Sequence, residues 1–321
     1  MANIEEVTSL CSDISKFQNF EITKDKVTKL FCKIVIGDSR NMVYIEDNSV
    51  NLIVTSPPYF NAKKYSEDVS GKDLGNIDDY ATWKKEIKNV WKECFRVLQP
   101  GRKMFINIMN LPISNEKNEG NGFKTLNIVG HTIDLCEDIG FKFKREIIWH
   151  KTNSVRAHFG TYPYPGGILI NCMHEQILEF EKPAPKGYDK YKHLTKEIKE
   201  GSKITKDFWL SLKNSSVWVM KPYKSGTREH LAPFPVELPE KLIKAYSYVS
   251  ETVLDPFAGM GTTAKAALTN NRSVILYEIN NNFLNLIENN LPSPFIKYEK
   301  KIIQNKPKKF KNVTQKIYPV A

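Results

Sequence analysis

The 321-residue chain has no apolar run approaching the roughly 20 residues that a helix needs to cross a bilayer, so no membrane-spanning helix is expected. Its first ten residues carry Glu5 and Glu6 and lack the basic start and apolar centre of a secretory leader. A cytoplasmic location follows as the expectation. Cysteine is sparse: Cys11, Cys32, Cys94, Cys136 and Cys172 form no CxxC pair, and no His/Cys group has zinc-ligand spacing. No metal is assigned, and the thiols read as reduced and partly buried. Internal repeats are absent. What the chain has in excess is positive charge, a formal +11. Lysine and arginine in such numbers form either a solvated surface or a partner for a polyanion, where neutralised phosphates release counterions. Charge alone does not choose between the two.

Lys33 to Asp38 and Asn51 to Ser56 are short apolar runs ending in polar residues. Both read as buried strands of a parallel sheet, where apolar residues run continuously. From Asp78 the period changes. Tyr80, Trp83, Ile87, Val90, Trp91, Phe95 and Leu98 recur at three- and four-residue steps, a helix with one apolar face, capped near Asp78 and closed by Pro100-Gly101. Lys103 to Met109 predicts a strand, Thr125 to Glu137 a helix stopped at Gly140, and Phe141 to His150 and Glu175 to Glu181 further strands. Strand and helix alternate, which predicts a layered α/β sheet. Residues 151–229 break the rhythm with Tyr162-Pro163-Tyr164-Pro165-Gly166-Gly167, many lysines and scattered aromatics, and read as a loop-rich insert. The alternation resumes with a helix at Val236 to Tyr248, a strand at Glu251 to Asp255, a helix at Thr262 to Asn270 and a strand at Ser273 to Glu278. From Lys297 the chain reads as a lysine-rich, poorly ordered tail.

Two segments carry chemistry. In open α/β sheets ligands sit beyond the carboxyl ends of strands, and one apolar strand ends there in Ser56-Pro57-Pro58-Tyr59. Two prolines fix φ and remove two amide donors while keeping their carbonyls. Ser56 Oγ and the Pro57 carbonyl can accept both hydrogens of a planar amine, and the Tyr59 ring can stack on the base that bears it. A plain proline turn is the competing reading. The second segment is Asp255-Pro256-Phe257-Ala258-Gly259-Met260-Gly261-Thr262-Thr263, a strand, a glycine turn and a helix start. Gly259 and Gly261 allow close approach of backbone to a ligand, and the helix N-terminus favours an anionic group. The following strand ends in Glu278, whose carboxylate can accept a pair of ribose hydroxyls. Ala264 stands where the dinucleotide fingerprint has its third glycine, and the lysine of a phosphate-binding loop is missing.

Together the two segments resemble the amino-methyltransferases of DNA in their permuted arrangement, the β class, with the target motif ahead of the cofactor motif and a DNA-reading region between them. The resemblance covers most of the chain. It implies a Rossmann-like class I methyltransferase fold, circularly permuted, with a mostly parallel seven-stranded sheet. It also implies S-adenosyl-L-methionine as cofactor: its methionine carboxylate near Thr262 and Thr263, its amino group facing Asp255, its ribose on Glu278. Ile36-Gly37-Asp38 is similar to the family's strand that supplies an acid for the cofactor adenine. His230 to Pro235, with Phe234, is similar to the segment packed on the cofactor. Phe257 belongs to the same binding set.

On this reading residues 1–150 hold the target-motif half of the catalytic domain behind an N-terminal helical extension. Residues 151–229 form a target-recognition insert that includes a catalytic-domain strand near 175–181. Residues 230–296 form the cofactor half and 297–321 the basic tail. The partner implied is double-stranded DNA, with the base flipped out for reaction. Lys151, Asn153, Arg156, His158 and Arg228 are candidate DNA contacts. A separately encoded restriction endonuclease fits the same picture, as does either a monomer or a homodimer. Family members acting on adenine N6 usually carry Asp or Asn before Pro-Pro, and those acting on cytosine N4 usually carry Ser, so Ser56 favours cytosine. Cytosine carbon-5 chemistry needs a cysteine nucleophile after a proline, and no cysteine here follows one. Adenine N6 remains the alternative, with a nucleic-acid-binding protein without catalysis behind it.

Overall fold

The computed structural model describes residues 30–60, 73–113, 122, 124–152, 163–167, 170, 172–222, 234–292 and 298–304. Strands β1 (Leu30–Ile36) and β2 (Val50–Thr55) come first, and every residue of β2 is buried. Helix α1 (Tyr80–Val97) buries Trp83, Ile87, Val90 and Trp91 of the face its period predicts and adds Cys94 and Val97, while Tyr80 and Phe95 are only partly buried. Asp79 rather than Asp78 caps it, accepting from the Thr82 amide. Pro100-Gly101 does not close the helix as expected. The chain turns into β3 (Leu98–Ile108) directly, and the pairing register with β2 jumps across these residues, from Val50 opposite Leu98 to Leu52 opposite Lys103. A proline without an N–H and a glycine at φ 73° suit such a bulge.

A short hairpin, β4 (Leu111–Ile113) with β5 (Lys124–Leu126), precedes α2 (Ile128–Ile139). That pairing, and the Asn127 side chain accepting from the Gly130 amide, start the helix three residues later than its apolar spacing suggests. Gly140 stops it at φ 116°. Strands β6 (Lys142–Lys151) and β7 (His174–Glu181) follow, then two short helices, α3 (Lys196–Gly201) and α4 (Lys206–Asn214), capped by Thr195 and Thr205. The segment from 151 to 229 also contributes β8 (Val217–Met220) to the sheet, with Trp218 and Met220 buried. The chain continues through α5 (Glu237–Tyr246), β9 (Thr252–Asp255), α6 (Thr262–Thr269), β10 (Ser273–Glu278) and α7 (Leu284–Asn290). It then forms β11 (Tyr298–Gln304) where only a poorly ordered tail is expected. Glu299, Lys300 and Lys301 hide that strand in the sequence, yet charged residues are normal on an edge strand because they deter further pairing.

Among the described residues the sheet has nine strands where seven are expected, in the order β11-β1-β10-β9-β2-β3-β7-β6-β8. The seven expected strands form its middle, with β11 and β8 added at the edges. Among the described strands of this sheet only β7 runs against its neighbours. Helices α1 and α2 cover one face, where Trp83, Trp91 and Ile128 pack on Ile53, Met104 and Ile106. Helices α5, α6 and α7 cover the other through Leu242, Ala267 and Ile287. Strand β10 lies beside β1, with Ile36 opposite Glu278. Early and late parts of the chain therefore meet within the sheet, and β1, β10, β9 and β2 present their carboxyl ends side by side.

Candidate active site

Those four ends carry Asp38, Glu278, Asp255 and Ser56. Asp255 is 1% exposed. One of its carboxylate oxygens accepts from Thr55 Oγ1 (2.7 Å) and from the Phe257 amide (3.0 Å); the other accepts from Thr263 Oγ1 (2.6 Å). Burial raises its pKa against the opposing effect of these donors. The sequence reading gives Asp255 a ligand's ammonium and Thr263 a ligand's carboxylate. Here they face each other, and both are enclosed. They build the turn and tie it to β2. Thr262, at the helix start, is buried as well.

The two glycines of the turn differ in role. Gly261 has φ 79°, and a Cβ there would lie 3.0 Å from Ile287 Cγ2, so it serves packing as well as conformation. Gly259 has φ 51°, and a Cβ would meet nothing within 4 Å. Its partly buried backbone, with open space where a Cβ would stand, is therefore the part of the turn that a ligand can approach. The Gly259 amide donates to Glu278 Oε2 (2.8 Å), and the Asn280 amide donates to Oε1 (2.9 Å). Burial, with smaller contributions from the charges of Asp73 and Asp255, pushes the Glu278 carboxyl up to about 7.

Asp38 is clamped by Arg40. The guanidinium reaches both carboxylate oxygens, the Arg40 amide donates to Oδ1 (2.9 Å), and Nη1 continues to Glu86 Oε2 (2.5 Å). Phe234 is buried among the side chains under α5 and α6. Phe257 is partly buried, edge-on to Trp91 at 6.1 Å. Asp73 caps a 3-10 turn at Leu74–Asn76 by accepting from the Gly75 amide. Residues 61–76, whose sequence suits either a mobile loop that closes on DNA or an exposed connector, end in a packed turn in which Asp73, Leu74 and Gly75 are buried; residues 61–72 lie outside the described part.

At the end of β2, Ser56, Pro58 and Tyr59 are partly buried and Pro57 is buried. Tyr59 donates its hydroxyl to Glu175 Oε2 (2.9 Å). Asn107 Nδ2 donates to the same oxygen, and Lys151 Nζ pairs with Glu175 Oε1 (2.5 Å). Phe60 packs edge-on to Tyr80 at 5.0 Å, and the Tyr80 hydroxyl lies 2.8 Å from His131 Nδ1. Burial raises the Tyr80 hydroxyl to about 12. Of the candidate DNA contacts, Lys151 is engaged in this network. Asn153, Arg156, His158 and Arg228 lie outside the described residues. A groove of about 440 Å³ lies elsewhere, at the amino end of β3 around Arg102, Lys190 and Tyr248.

Sequence reasoning missed Arg40, Asp73, Asn107 and Glu175. A signal existed for Glu175: an acid within a mostly buried strand is rare unless it is paired. Asp73-Leu74-Gly75 has the pattern of a capped turn. Nothing in the spacing of Asn107 or Arg40 marks either residue.

The family model N6_N4_Mtase, described as DNA methylase, matches residues 50–289. The type II methyltransferase M.MjaI of Methanocaldococcus jannaschii is 32% identical over 281 residues, covering 80% of this chain and 89% of that protein. M.MthZI of Methanothermobacter thermautotrophicus, also a type II methyltransferase, is 31% identical over 277 residues, covering 81% and 76%. The structure of TTHA0409 from Thermus thermophilus complexed with S-adenosyl-L-methionine superposes with a TM-score of 0.66 at 29% identity, covering 86% of this chain and 99% of that one. PvuII DNA methyltransferase, cytosine-N4-specific, shares the fold at 16% identity, with a TM-score of 0.59 and coverage of 84% and 89%. With a family match across most of its length, and with Ser56-Pro57-Pro58-Tyr59 and the Asp255–Thr263 turn on neighbouring strands, the chain belongs to the N6/N4 DNA methylase family.

Proposed function

We propose that this DNA methylase moves a methyl group from S-adenosyl-L-methionine to the N4 amine of cytosine in double-stranded DNA, in the permuted, β-class arrangement. The observation that carries the proposal is the hydrogen bond from Thr55 to Asp255, 2.7 Å long across 200 residues of sequence. It fixes the strand end that delivers Ser56-Pro57-Pro58-Tyr59 against the glycine turn. Amine acceptors and cofactor turn are thereby held in one rigid unit. The adjacency of β10 and β1 supports the permuted arrangement.

The residues fit the cofactor. Open space over Gly259 suits a close backbone approach, and the Glu278 carboxylate at the neighbouring strand end suits a ribose diol. When bound, the cofactor supplies an electrophilic methyl on a sulfonium. Asp38, held by Arg40, lies at the edge of this site on the β1 side. Ser56 Oγ and the Pro57 carbonyl accept the two hydrogens of the flipped base's amine. That draws the nitrogen lone pair out of the ring, so it can form the new N–C bond as the C–S bond breaks; one amine proton then leaves to solvent. Orientation and fixed dipoles supply the acceleration, with no covalent enzyme intermediate. A hydroxyl both donates and accepts, so Ser56 can also meet cytosine N3, which a carboxylate cannot do. The relatives' type II character supports a modification role beside a separately encoded endonuclease.

The test compares wild type with Ser56→Asp on unmethylated genomic DNA and labelled cofactor. Label on cytosine in wild type, with that preference lost in the variant, supports the role of Ser56. A Ser56→Asp variant with unchanged cytosine preference contradicts it.

A further inference from the structure

We propose that Glu175, held by Lys151 and Asn107, is a positioning residue for methyl transfer: it fixes the Tyr59 ring as the platform on which the flipped base stacks. The proposal rests on the methylase reading above and adds three residues to it. Glu175 is the second residue of β7, the reversed strand. Reversal brings the start of β7 to the rim where β3 and β6 end, and there Asn107, Lys151 and Glu175 converge. Glu175 is 7% exposed and Asn107 is 3% exposed. A carboxylate so enclosed is costly unless it is paired and hydrogen-bonded, and this one has three donors: Lys151 Nζ on Oε1, and the Tyr59 hydroxyl and Asn107 Nδ2 on Oε2. Asn107 Oδ1 is buried with no hydrogen-bond partner among the described residues, a cost the fold accepts while the amide nitrogen serves Glu175. Lys151 also lies 5.4 Å from the Trp149 ring centre. The ammonium is thus engaged inward at Glu175 and held over the sheet, which is a poor posture for a phosphate contact.

The arrangement does two things for the reaction. It removes rotational freedom from the Tyr59 ring, so a base stacked on it presents its amine at one angle. It also has a carboxylate accept from the phenol, which pushes electron density into the ring. The amine nitrogen gains positive charge as the methyl arrives, and an electron-rich ring face favours nearby positive charge.

The experiment measures single-turnover methyl transfer with saturating cofactor and DNA for wild type, Tyr59→Phe, Glu175→Gln, the Tyr59→Phe/Glu175→Gln double variant, Lys151→Met and Lys151→Arg. Cofactor binding by calorimetry and thermal unfolding run alongside. Tyr59→Phe keeps the ring and loses only the tether, and Lys151→Arg keeps the charge, so the set stays informative even if Glu175→Gln folds poorly. The expected result is a transfer rate lower by about ten- to a hundredfold in Tyr59→Phe, Glu175→Gln and Lys151→Met. Cofactor affinity stays unchanged, Lys151→Arg recovers part of the rate, and the double variant is no slower than the worse single one. Effects of Tyr59→Phe and Glu175→Gln that multiply independently, or a wild-type rate in either, overturn the proposal. A Lys151→Met variant that loses only DNA affinity and its salt dependence also overturns it, because that is how a phosphate contact behaves. Failure of wild type to label DNA at all overturns the methylase reading itself, whereas active wild type with indifferent variants overturns only this inference.

Discussion

The Glu278 carboxyl offers a quantitative test of the proposed cofactor site. Its pKa stands at about 7, against an ordinary value of 4.5, chiefly through burial. A raised carboxyl pKa means that its contribution to stability is present in full below about pH 4.5 and is lost as pH rises through about 7. The ionised group therefore costs the ligand-free protein about 3 kcal/mol at high pH. In the proposed role Glu278 accepts two ribose hydroxyls, which requires that ionised form. Cofactor affinity should then be steady above pH 7 and weaken about tenfold for each unit below it, with close to one proton released per molecule bound at about pH 6. Calorimetry in buffers of different ionisation enthalpy reads both quantities. Glu278→Gln should bind more weakly, by about ten- to a hundredfold for a lost charge-assisted pair of hydrogen bonds, and its affinity should not vary with pH. A Glu278→Gln variant that binds the cofactor as tightly as wild type refutes the assignment of Glu278 to the ribose, and a wild-type affinity that stays flat between about pH 6 and about pH 8, with no proton release, refutes the raised carboxyl pKa.

Two further outcomes follow from the turn. Gly261→Ala places a Cβ 3.0 Å from Ile287 Cγ2 at a φ of 79°. It should lower unfolding stability by about 1–3 kcal/mol in denaturant titrations, and cofactor affinity should fall with it. Thr55→Val removes a donor from a fully buried carboxylate. It should cost about 1–3 kcal/mol of stability, and methyl transfer should suffer more than cofactor binding, because Thr55 links the turn to the target motif; an equal loss in both argues against that link.

Much of the fold was legible because its signals are local. The buried runs ending at Thr55, Asp255 and Glu278 announce themselves by composition, and α1 by its period. The misreadings had physical causes. Pro100-Gly101 looks like a helix stop, but it forms a bulge because β2 offers a partner immediately after Val97. Strand β11 carries the charges of an edge and reads as a tail. The two candidate motifs stand out in the sequence because their residues are contiguous. Asn107 and Glu175 do not, because they gain meaning only when the sheet brings distant strands together; Arg40 acts on Asp38 two residues away, and only the tertiary fold adds Glu86 to that pair. Asp255 illustrates the limit: the sequence places it at a strand end, and only the packing reveals that its oxygens are committed to Thr55, Phe257 and Thr263.

The central claim is tested most directly by the chemistry of the product. Purified protein is incubated with S-adenosyl-L-methionine and unmethylated genomic DNA, the DNA is digested to nucleosides, and the methylated nucleoside is identified by mass spectrometry. The account predicts N4-methylcytosine. N6-methyladenine in its place contradicts the assignment of the target base from Ser56, and no methylated nucleoside from protein that binds the cofactor contradicts DNA as the substrate.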